Sequence, residues 1–425
     1  MSRIHESSST ALLPQLSLWS TPPTQESVVR HIEYEVRPIT TFSSSTPIRF
    51  EVKSPANEYT ILQETLLWIR LKIKLHHGKQ QAITAADVNK TVKLRPNLLH
   101  SLFRTVTLAI NGKQIILSPS LYSFKAYIET LIGCTAEAKG GHLDSVGWNI
   151  KSAGDFVSRT PGELHLDLVG QLHLDLAKQE KWLIGGTSLV LELIPNEHKF
   201  YVSASGDVVV SNVDFLDTVL YVHRCEVTQE LVSAHNAALM KSPGRYPISR
   251  NEVRHMTISS GNNDVILDNV VSGILPRRVF LMLVDNDNFG GANPFKFEHF
   301  NLNFIAFYKD GIQFPTKAHT PDFSNNIVNR EFLAFYRALN QNDHDPIIQI
   351  SKKEWMEAPI FGFNFAPDLS NGPSLESHVN VREAGHLRVH LKFAESLQRA
   401  IVALLYLEFD SMIEIDVLRN VHVDF

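Results

Sequence analysis

The sequence predicts an all-β protein that consists of two tandem eight-stranded β-sandwiches with short helical insertions. Two observations predict this class. Apolar and polar residues alternate along many short segments, and the second half of the chain repeats features of the first half in the same order. The length of 425 residues suits two domains of about 200 residues each.

Alternation with a period of two residues is the main local signal. In residues 69–75, Ile and Leu alternate with Arg and Lys, and residues 387–393 show a similar pattern. Because successive side chains of a strand point to opposite faces, such segments bury one face of a sheet and expose the other. The same alternation occurs in residues 48–53, 106–110, 164–168, 172–176, 189–193 and 413–417.

Helical patterns are few and short. Residues 121–131 carry apolar side chains at helical spacing, and Ser118 and Pro119 before them suit the cap and the first helical position. Two further helices are predicted within residues 228–241 and 325–339. Strands outnumber helices, so the class is all-β with helical insertions.

Two matching hairpins are the first sign of an internal repeat. Asn111-Gly112 follows a predicted strand in the first half, and Asp310-Gly311 follows one in the second. Asn-Gly and Asp-Gly are the strongest hairpin dipeptides, because both central residues of such a turn need a positive φ. A similar short strand completes each hairpin, at residues 113–116 in the first half and 312–314 in the second.

A matching helix follows each hairpin, at an offset of 208 residues. The segment 64–71 also parallels 275–282 upstream of the hairpins. Four features in the same order indicate duplication of one β-domain, and chance recurrence is the alternative. The aligned core positions of the two helices are Phe124, Tyr127 and Leu131 in the first half and Phe332, Phe335 and Leu339 in the second.

Each unit has about eight short strands, which suits a jelly roll, that is, two Greek keys folded into facing sheets. An immunoglobulin-like sandwich would have fewer strands and no helix after the fourth. We therefore predict two tandem eight-stranded jelly rolls. The predicted divisions are an N-terminal arm (1–40), the first jelly roll (41–225), a linker with a short helix (226–250) and the second jelly roll (251–425).

Charge and cysteine content exclude several classes. The formal net charge is −5, and no run of five like charges occurs, unlike in a dedicated nucleic-acid binder. Cys134 and Cys225 are expected to be buried free thiols in a reducing compartment, and a single disulfide between them is the alternative. The polar start of the chain predicts no secretory signal. The apolar run 400–407 is far shorter than the roughly 20 residues of a membrane span.

A repeated tripeptide is the main candidate for a metal site. His165-Leu166-Asp167 and His173-Leu174-Asp175 lie eight residues apart on predicted strands, and their four polar groups are of types that bind metals. The favoured interpretation is that they are solvent-facing positions between buried leucines. We therefore expect no metal there.

Other chemical motifs are weak. Asp285 begins a segment similar to a calcium loop, but Phe289 replaces a ligand and Lys296 stands where a closing Glu is needed, so we predict a strand-to-loop turn. The sequence has no nucleophile elbow, phosphate loop, dinucleotide fingerprint or zinc-protease motif. We expect no catalytic residue and no cofactor.

Several motifs, taken in order, resemble the major capsid protein of Maverick or Polinton elements and of the related adintoviruses. The resemblance covers about residues 14–425 and is looser over 140–180. The motifs that carry it are LSLWSTPPTQES at 16–27, PIRFEV at 47–52, NLLHSLF at 97–103, ING at 110–112, YPISRNEV at 246–253, VDNDNFGG at 284–291, NPFKF at 293–297 and NLNF at 301–304.

The resemblance implies a structural subunit of a virion and not an enzyme. It implies a homotrimer whose six jelly rolls form a pseudo-hexagonal capsomer of an icosahedral shell. The implied partners are neighbouring capsomers, a single jelly-roll vertex protein and double-stranded DNA that is enclosed without sequence-specific contact. It also implies synthesis in the host cytoplasm, with assembly there or in the nucleus.

Three segments are candidates for contacts between subunits. The arm, with Trp19, Pro22 and Pro23, cannot join the interior of a sheet; it either lies along a neighbour or the inner shell surface, or is a disordered tail. The loops 76–97 and 140–162 are long enough to form towers or trimer contacts.

Two other functions fit the same fold class. The first is a two-domain jelly-roll glycan hydrolase or carbohydrate-binding protein, which would need a pocket with two or more carboxyl groups of raised pKa. The second is a minor vertex protein of the same shell, against which the internal duplication speaks.

Overall fold

The computed structural model describes residues 5–40, 46–77, 92–116, 120–150, 162–204, 206, 208–291, 293–341, 348–370, 372 and 378–424. The strands described in the first half are β1 (Val28–Val36), β2 (Ile48–Lys53), β3 (Glu58–His77), β4 (Val92–Leu94), β5 (Phe103–Ile110), β6 (Lys113–Gln114), β7 (Glu163–Gln171), β8 (Ser188–Pro195), β9 (Val202–Ala204) and β10 (Val208–Val227).

The second half has a similar series of strands. They are β11 (Gly244–Ile258), β12 (Asp264–Ile274), β13 (Arg278–Asp285), β14 (Leu302–Lys309), β15 (Ile312–His319), β16 (Phe361–Asn364), β17 (Ala384–Phe393), β18 (Ile401–Ile415) and β19 (Val421–Val423).

The same strand order occurs in both halves. The first half forms two four-stranded antiparallel sheets with the orders β1-β10-β3-β7 and β2-β8-β5-β6, and the second half forms β11-β18-β13-β16 and β12-β17-β14-β15. When the eight main strands of each half are numbered from its start, both halves read 1-8-3-6 and 2-7-4-5. This is the order of a jelly roll, so the prediction of two tandem eight-stranded jelly rolls is confirmed. The short pair β4-β9 and strand β19 are additions.

The helices fill connections between strands, and none in the described part of the chain is long and apolar enough to cross a bilayer. The three predicted helices are present, as α2, α5 and α7. The described helices are α1 (Leu98–Ser101), α2 (Tyr122–Gly133), α3 (Ala136–Gly140), α4 (His198–Tyr201), α5 (Gln229–Leu239), α6 (Asn286–Phe289), α7 (Asn329–Ala338) and α8 (Lys352–Glu357).

Helices α2 and α7 occupy equivalent places, since each lies between the fifth and sixth strands of its jelly roll. The proposed cap residues Ser118 and Pro119 lie outside the described residues. So do 78–91, which are most of the first predicted loop, and 151–161, which are the second half of the other.

The strand predicted at residues 172–176 is wrong. Strand β7 ends at Gln171, which forms the last pair of its ladder with Leu66 of β3. Without a ladder partner the chain turns, and Asp175–Lys178 form a 3-10 helix. Leu172, Leu174 and Leu176 are nevertheless buried.

Strand β1 lies within the segment 1–40 that the sequence assigns to the arm. It pairs with β10 from Val28 to Val36 and is the first strand of the first jelly roll. Within the described residues, the part of the arm outside the sandwich is therefore 5–27.

Two hydrophobic cores form, and each takes residues from the other half. Ile248 of β11 and Ile413 of β18 belong to the first core. Phe124, Ile128 and Ile132 of α2 belong to the second. The two jelly rolls are thus interlocked through α2 on one side and the ends of the β11-β18 ribbon on the other.

Candidate functional site

The two predicted hairpin turns have the same geometry. Asn111 and Gly112 have φ values of 48° and 81°, and Asp310 and Gly311 have 48° and 85°. Each pair joins the fourth strand of its jelly roll to the fifth. Positive φ at both central residues is what the tight hairpin turn requires.

The two turns also make the same contacts with the seventh strand. Oδ1 of Asn111 accepts a hydrogen bond of 2.7 Å from the amide of Ser188. Oδ1 of Asp310 accepts one of 2.8 Å from the amide of His386. In each case the backbone amide of the turn residue also donates to the carbonyl of that same partner, at 2.8 Å and 3.0 Å. The turns are therefore equivalent in three dimensions as well as in sequence.

The two repeat helices bury different positions. In α2, Phe124 is buried, while Tyr127 and Leu131 are partly buried; in α7 the aligned Phe332 is partly buried. Phe335 and Leu339 at the end of α7 are buried. The difference arises because α2 lies between two domains, whereas α7 packs on β16 of its own jelly roll.

Helix α2 enters an aromatic cluster of the second core. The ring of Phe124 lies 5.8 Å from Phe200, 5.1 Å from Phe289 and 5.5 Å from Phe295, measured between centroids. Tyr127 stacks on Phe295 at 4.2 Å. Such aromatic contacts add specific geometry to the burial of apolar area.

The polar face of α2 lies in a buried cluster at the domain junction. We call this set the junction cluster. It contains Lys125, Glu129, His173, Asp175, Lys178, Asn251 and Tyr406. All these residues except His173 and Lys178 are buried.

Glu129 is the centre of the junction cluster. Its Oε2 accepts a hydrogen bond of 2.6 Å from Nδ1 of His173 and forms a salt bridge of 2.6 Å with Nζ of Lys178, both of the first jelly roll. Its Oε1 accepts hydrogen bonds of 3.1 Å from Nδ2 of Asn251 and from the hydroxyl group of Tyr406, both of the second. One carboxylate therefore connects the two domains.

Asp175 makes a second connection of the same kind. Its Oδ1 accepts a hydrogen bond of 2.6 Å from Nζ of Lys125, and its Oδ2 accepts one of 3.1 Å from the backbone amide of Asn251. Buried charges are tolerated when they are paired and hydrogen-bonded, and both carboxylates meet that condition.

Burial and nearby charges shift the pKa values of the acids and bases in this region. Burial raises the pKa of Glu129, but the ammonium groups of Lys178 and Lys125 outweigh it and hold that pKa well below its ordinary value. Burial lowers the pKa of His173, against the attraction of Glu129. Burial also lowers the pKa of His100, whose Nδ1 lies 2.9 Å from the hydroxyl group of Tyr122. Both imidazoles are therefore neutral at pH 7.

The solvent-facing interpretation of the repeated tripeptides holds for one of them only. His165 and Asp167 are exposed on β7. For His173 and Asp175 the prediction is wrong, because the chain leaves the sheet at Gln171 and turns them into the junction cluster. Within the described ranges, no group of three or more His, Cys, Asp or Glu side chains is arranged to hold a metal ion.

The calcium-like segment is a strand-to-helix turn. Asp285 ends β13, is 2% exposed and caps α6 by accepting a hydrogen bond of 2.8 Å from the amide of Asp287. Its other oxygen forms a salt bridge of 2.5 Å with Arg399. The carboxylate that would be the first calcium ligand is thus already engaged.

The arm is exposed. Trp19 is 91% exposed, and Pro22 and Pro23 are also exposed, in a segment that contains one 3-10 turn at Pro14–Leu16. Cys134 and Cys225 are free thiols, partly buried and buried respectively.

The structure brings together residues that the sequence reasoning missed. Local patterns predict no role for Asn251 or Tyr406, and they indicate only that Lys125 and Glu129 lie in a helix. The spacing of four residues between Lys125 and Glu129 places them on one face of α2, which is the signal that was available.

Comparison with known proteins places the fold. No protein-family model matches the chain. An uncharacterized protein of Caenorhabditis elegans is 23% identical over 407 residues, which covers 90% of this chain and 94% of that protein.

Solved structures of viral proteins are similar over nearly the whole chain. A chain of the Sputnik virophage, solved by cryo-EM, has a TM-score of 0.68 at 13% identity, covering 100% of this chain and 94% of that one. The Faustovirus major capsid protein has a TM-score of 0.61 at 10% identity, covering 95% and 92%. The mavirus major capsid protein has 0.54 at 11% identity, covering 100% and 97%. The chain therefore has the double jelly-roll fold that viral major capsid proteins have.

Proposed function

We propose that the chain is a viral major capsid protein, a structural subunit whose function is carried by its contacts with other subunits. The observation that carries the proposal is the strand order 1-8-3-6 and 2-7-4-5, which occurs twice in one polypeptide. The similar fold of two major capsid proteins that match more than nine-tenths of the chain supports it.

The duplicated fold has a geometric consequence for assembly. A homotrimer of two similar domains presents six jelly rolls around one axis, so a single gene makes a capsomer with near-hexagonal contacts. Such capsomers tile an icosahedral shell. The interlocked cores and the junction cluster support this function, because they hold the two jelly rolls of a subunit at one relative orientation.

The lineage that we propose is that of Maverick or Polinton elements and adintoviruses. The ordered motifs of the sequence support it, as does the similar protein of Caenorhabditis elegans, because an element resident in an animal genome would leave related copies there. The proposed partners are neighbouring capsomers and a single jelly-roll vertex protein. The shell would enclose double-stranded DNA, and the net charge of −5 fits enclosure without tight binding. The protein would be synthesised in the host cytoplasm and assembled into virions there or in the nucleus.

The test is the mass of the purified protein in solution. Size-exclusion chromatography with light scattering is expected to show a particle of three chains of 47.9 kDa each. Electron microscopy of that particle should show six similar lobes around a threefold axis. A monomer at every concentration tested would contradict the proposal.

A further inference from the structure

The exposed arm carries a cluster of large apolar side chains that nothing in the described part of the chain covers. They occupy residues 12–19, and the described backbone hydrogen bonds of this stretch are local, such as that of 3.1 Å from the amide of Ser17 to the carbonyl of Pro14. Apolar patches of this kind mark interaction sites. The exposed fractions are 66% for Leu12, 63% for Leu13, 59% for Leu16, 77% for Leu18 and 91% for Trp19.

A groove with apolar walls lies at the root of the arm, where the arm joins β1. We call it the α5 groove. It has a volume of about 620 Å³, within the range of roughly 300–1,000 Å³ found for sites that enclose compact ligands. Its apolar walls come from the start of β1, helix α5, the start of β11 and the segment before β8, through Val28, Leu231, Leu239, Tyr246 and Trp182.

The walls of the α5 groove are held in place by hydrogen bonds. The hydroxyl group of Tyr246 donates to the carbonyl of Trp182 at 3.3 Å. The hydroxyl group of Tyr59 lies 2.8 Å from Nδ1 of His235 on α5. The groove is therefore a preformed surface, which lowers the entropic cost of filling it.

The arm leaves from the wall of this groove, since Ser27 and Val28 line it and residues 12–19 do not. Eight residues separate Trp19 from Val28, and they include Pro22 and Pro23. Proline restricts its own φ and keeps the preceding residue extended. At about 3.1 Å per residue for such a backbone, a fully extended spacer of eight residues has a reach of about 25 Å. The large apolar side chains of residues 12–19 are exposed and do not line the groove of their own subunit, which favours the groove of a neighbouring subunit, within that reach, as their site.

We propose that residues 12–19 of one subunit dock in the α5 groove of a second copy of this chain. The inference rests on the proposed trimer, because the docked arm would be one of the contacts between its three subunits. The arm of each subunit binds the groove of the next subunit. Three such head-to-tail contacts form a closed ring of three subunits.

Disulfide formation between full-length chains tests the proposal. One chain carries Trp19→Cys and a differently tagged chain carries Ala238→Cys in the α5 groove, and both carry Cys134→Ser to remove a partly buried thiol. The chains are co-expressed and oxidised, because a disulfide forms only when the two Cα atoms approach within about 7 Å. Ala237→Cys is the matched control, since Ala237 is exposed on the same helix but does not line the groove.

The expected result is a disulfide between differently tagged chains, at least tenfold more abundant with Ala238→Cys than with Ala237→Cys. Light scattering of the same samples tests the proposed trimer separately from the docking of the arm. A trimer without the Ala238 link would overturn the arm docking and leave the proposed function intact, whereas a monomer would overturn both. A link that forms only when both cysteines are in one chain would show that the arm folds back on its own groove, which also overturns the inference.

Discussion

The hydroxyl group of Tyr406 donates a hydrogen bond of 3.1 Å to Oε1 of Glu129 and so joins two residues 277 positions apart. Tyr406 belongs to the second jelly roll and Glu129 to the helix α2 of the first. The contact is directional and buried, and the groups around it are charged. A network of this kind specifies one arrangement of its elements more strictly than apolar packing does. The contact thus adds a directional constraint on the relative orientation of the two jelly rolls to the apolar packing of the shared cores.

Tyr406→Phe tests the energy of this contact. The substitution keeps the ring, which is 2% exposed, and removes the donor from a charged acceptor. We expect the free energy of unfolding to fall by about 1.5–3 kcal/mol, measured by guanidinium denaturation. Tyr308→Phe is the control, because that hydroxyl group donates to the neutral side chain of Gln313 at 3.1 Å, and about 1 kcal/mol or less is expected there. Equal losses in the two variants would contradict a special role for Glu129.

The buried pair of Lys125 and Asp175 gives a second prediction. Lys125→Met removes the salt-bridge partner of the buried Asp175 carboxylate, so we expect a loss of about 3–5 kcal/mol in the free energy of unfolding. The double variant Lys125→Met/Asp175→Leu removes both charges and is expected to lose less than the single variant. A double-mutant cycle measures the difference. The cycle also needs the single variant Asp175→Leu. If the loss in the double variant equalled the sum of the losses in the two single variants, the two side chains would not be coupled.

The stability of the protein should fall as the solution becomes mildly acidic. Burial lowers the pKa of His100 and of His173 below the ordinary value of 6.5. The unfolded chain therefore binds more protons than the folded one below about pH 6.5, and the free energy of unfolding decreases with falling pH. Each imidazole contributes a slope of at most about 1.4 kcal/mol per pH unit.

Chemical denaturation between pH 7 and pH 5 measures this dependence. Glu129 acts in a lower window, because its pKa is held below 4.5 and its stabilising contribution is lost only as the pH falls further. His100→Gln should reduce the slope, because it removes one of the two buried imidazoles. A slope that is unaltered by His100→Gln would show that the buried imidazoles are not its source.

The two hairpin turns should respond equally to the same substitution. Gly112→Ala and Gly311→Ala place a side chain at φ values of 81° and 85°, with open space around the new Cβ atom. The cost is therefore confined to the backbone and should be about 1–2 kcal/mol for each. Gly140→Ala, which also meets open space but has no positive φ, should be close to neutral. Thermal unfolding compares the three, and a marked difference between the two turns would show that they are not equivalent.

Local patterns were enough to predict the strands and the turns. Ile69, Leu71 and Ile73 alternate with charged residues and are fully buried in β3, as the two-residue period of a strand requires. The dipeptides at Asn111 and Asp310 turn the chain as expected, because positive φ is a preference of those residues themselves. The order of the repeated features also predicted two sandwiches of the same topology.

The tertiary structure alone decided which helix face is buried and where charge is enclosed. Phe124 and Phe332 hold the same place in the repeat, yet only Phe124 is fully buried, because α2 has a second domain against it and α7 does not. Spacing along a helix shows which residues share a face and cannot show what that face meets. Lys125 and Glu129 resemble an ordinary surface pair in the sequence. They are buried because Asp175 and Tyr406 come to them from distant segments of the chain, and pairing over such separations is a property of the packed fold and not of any local period.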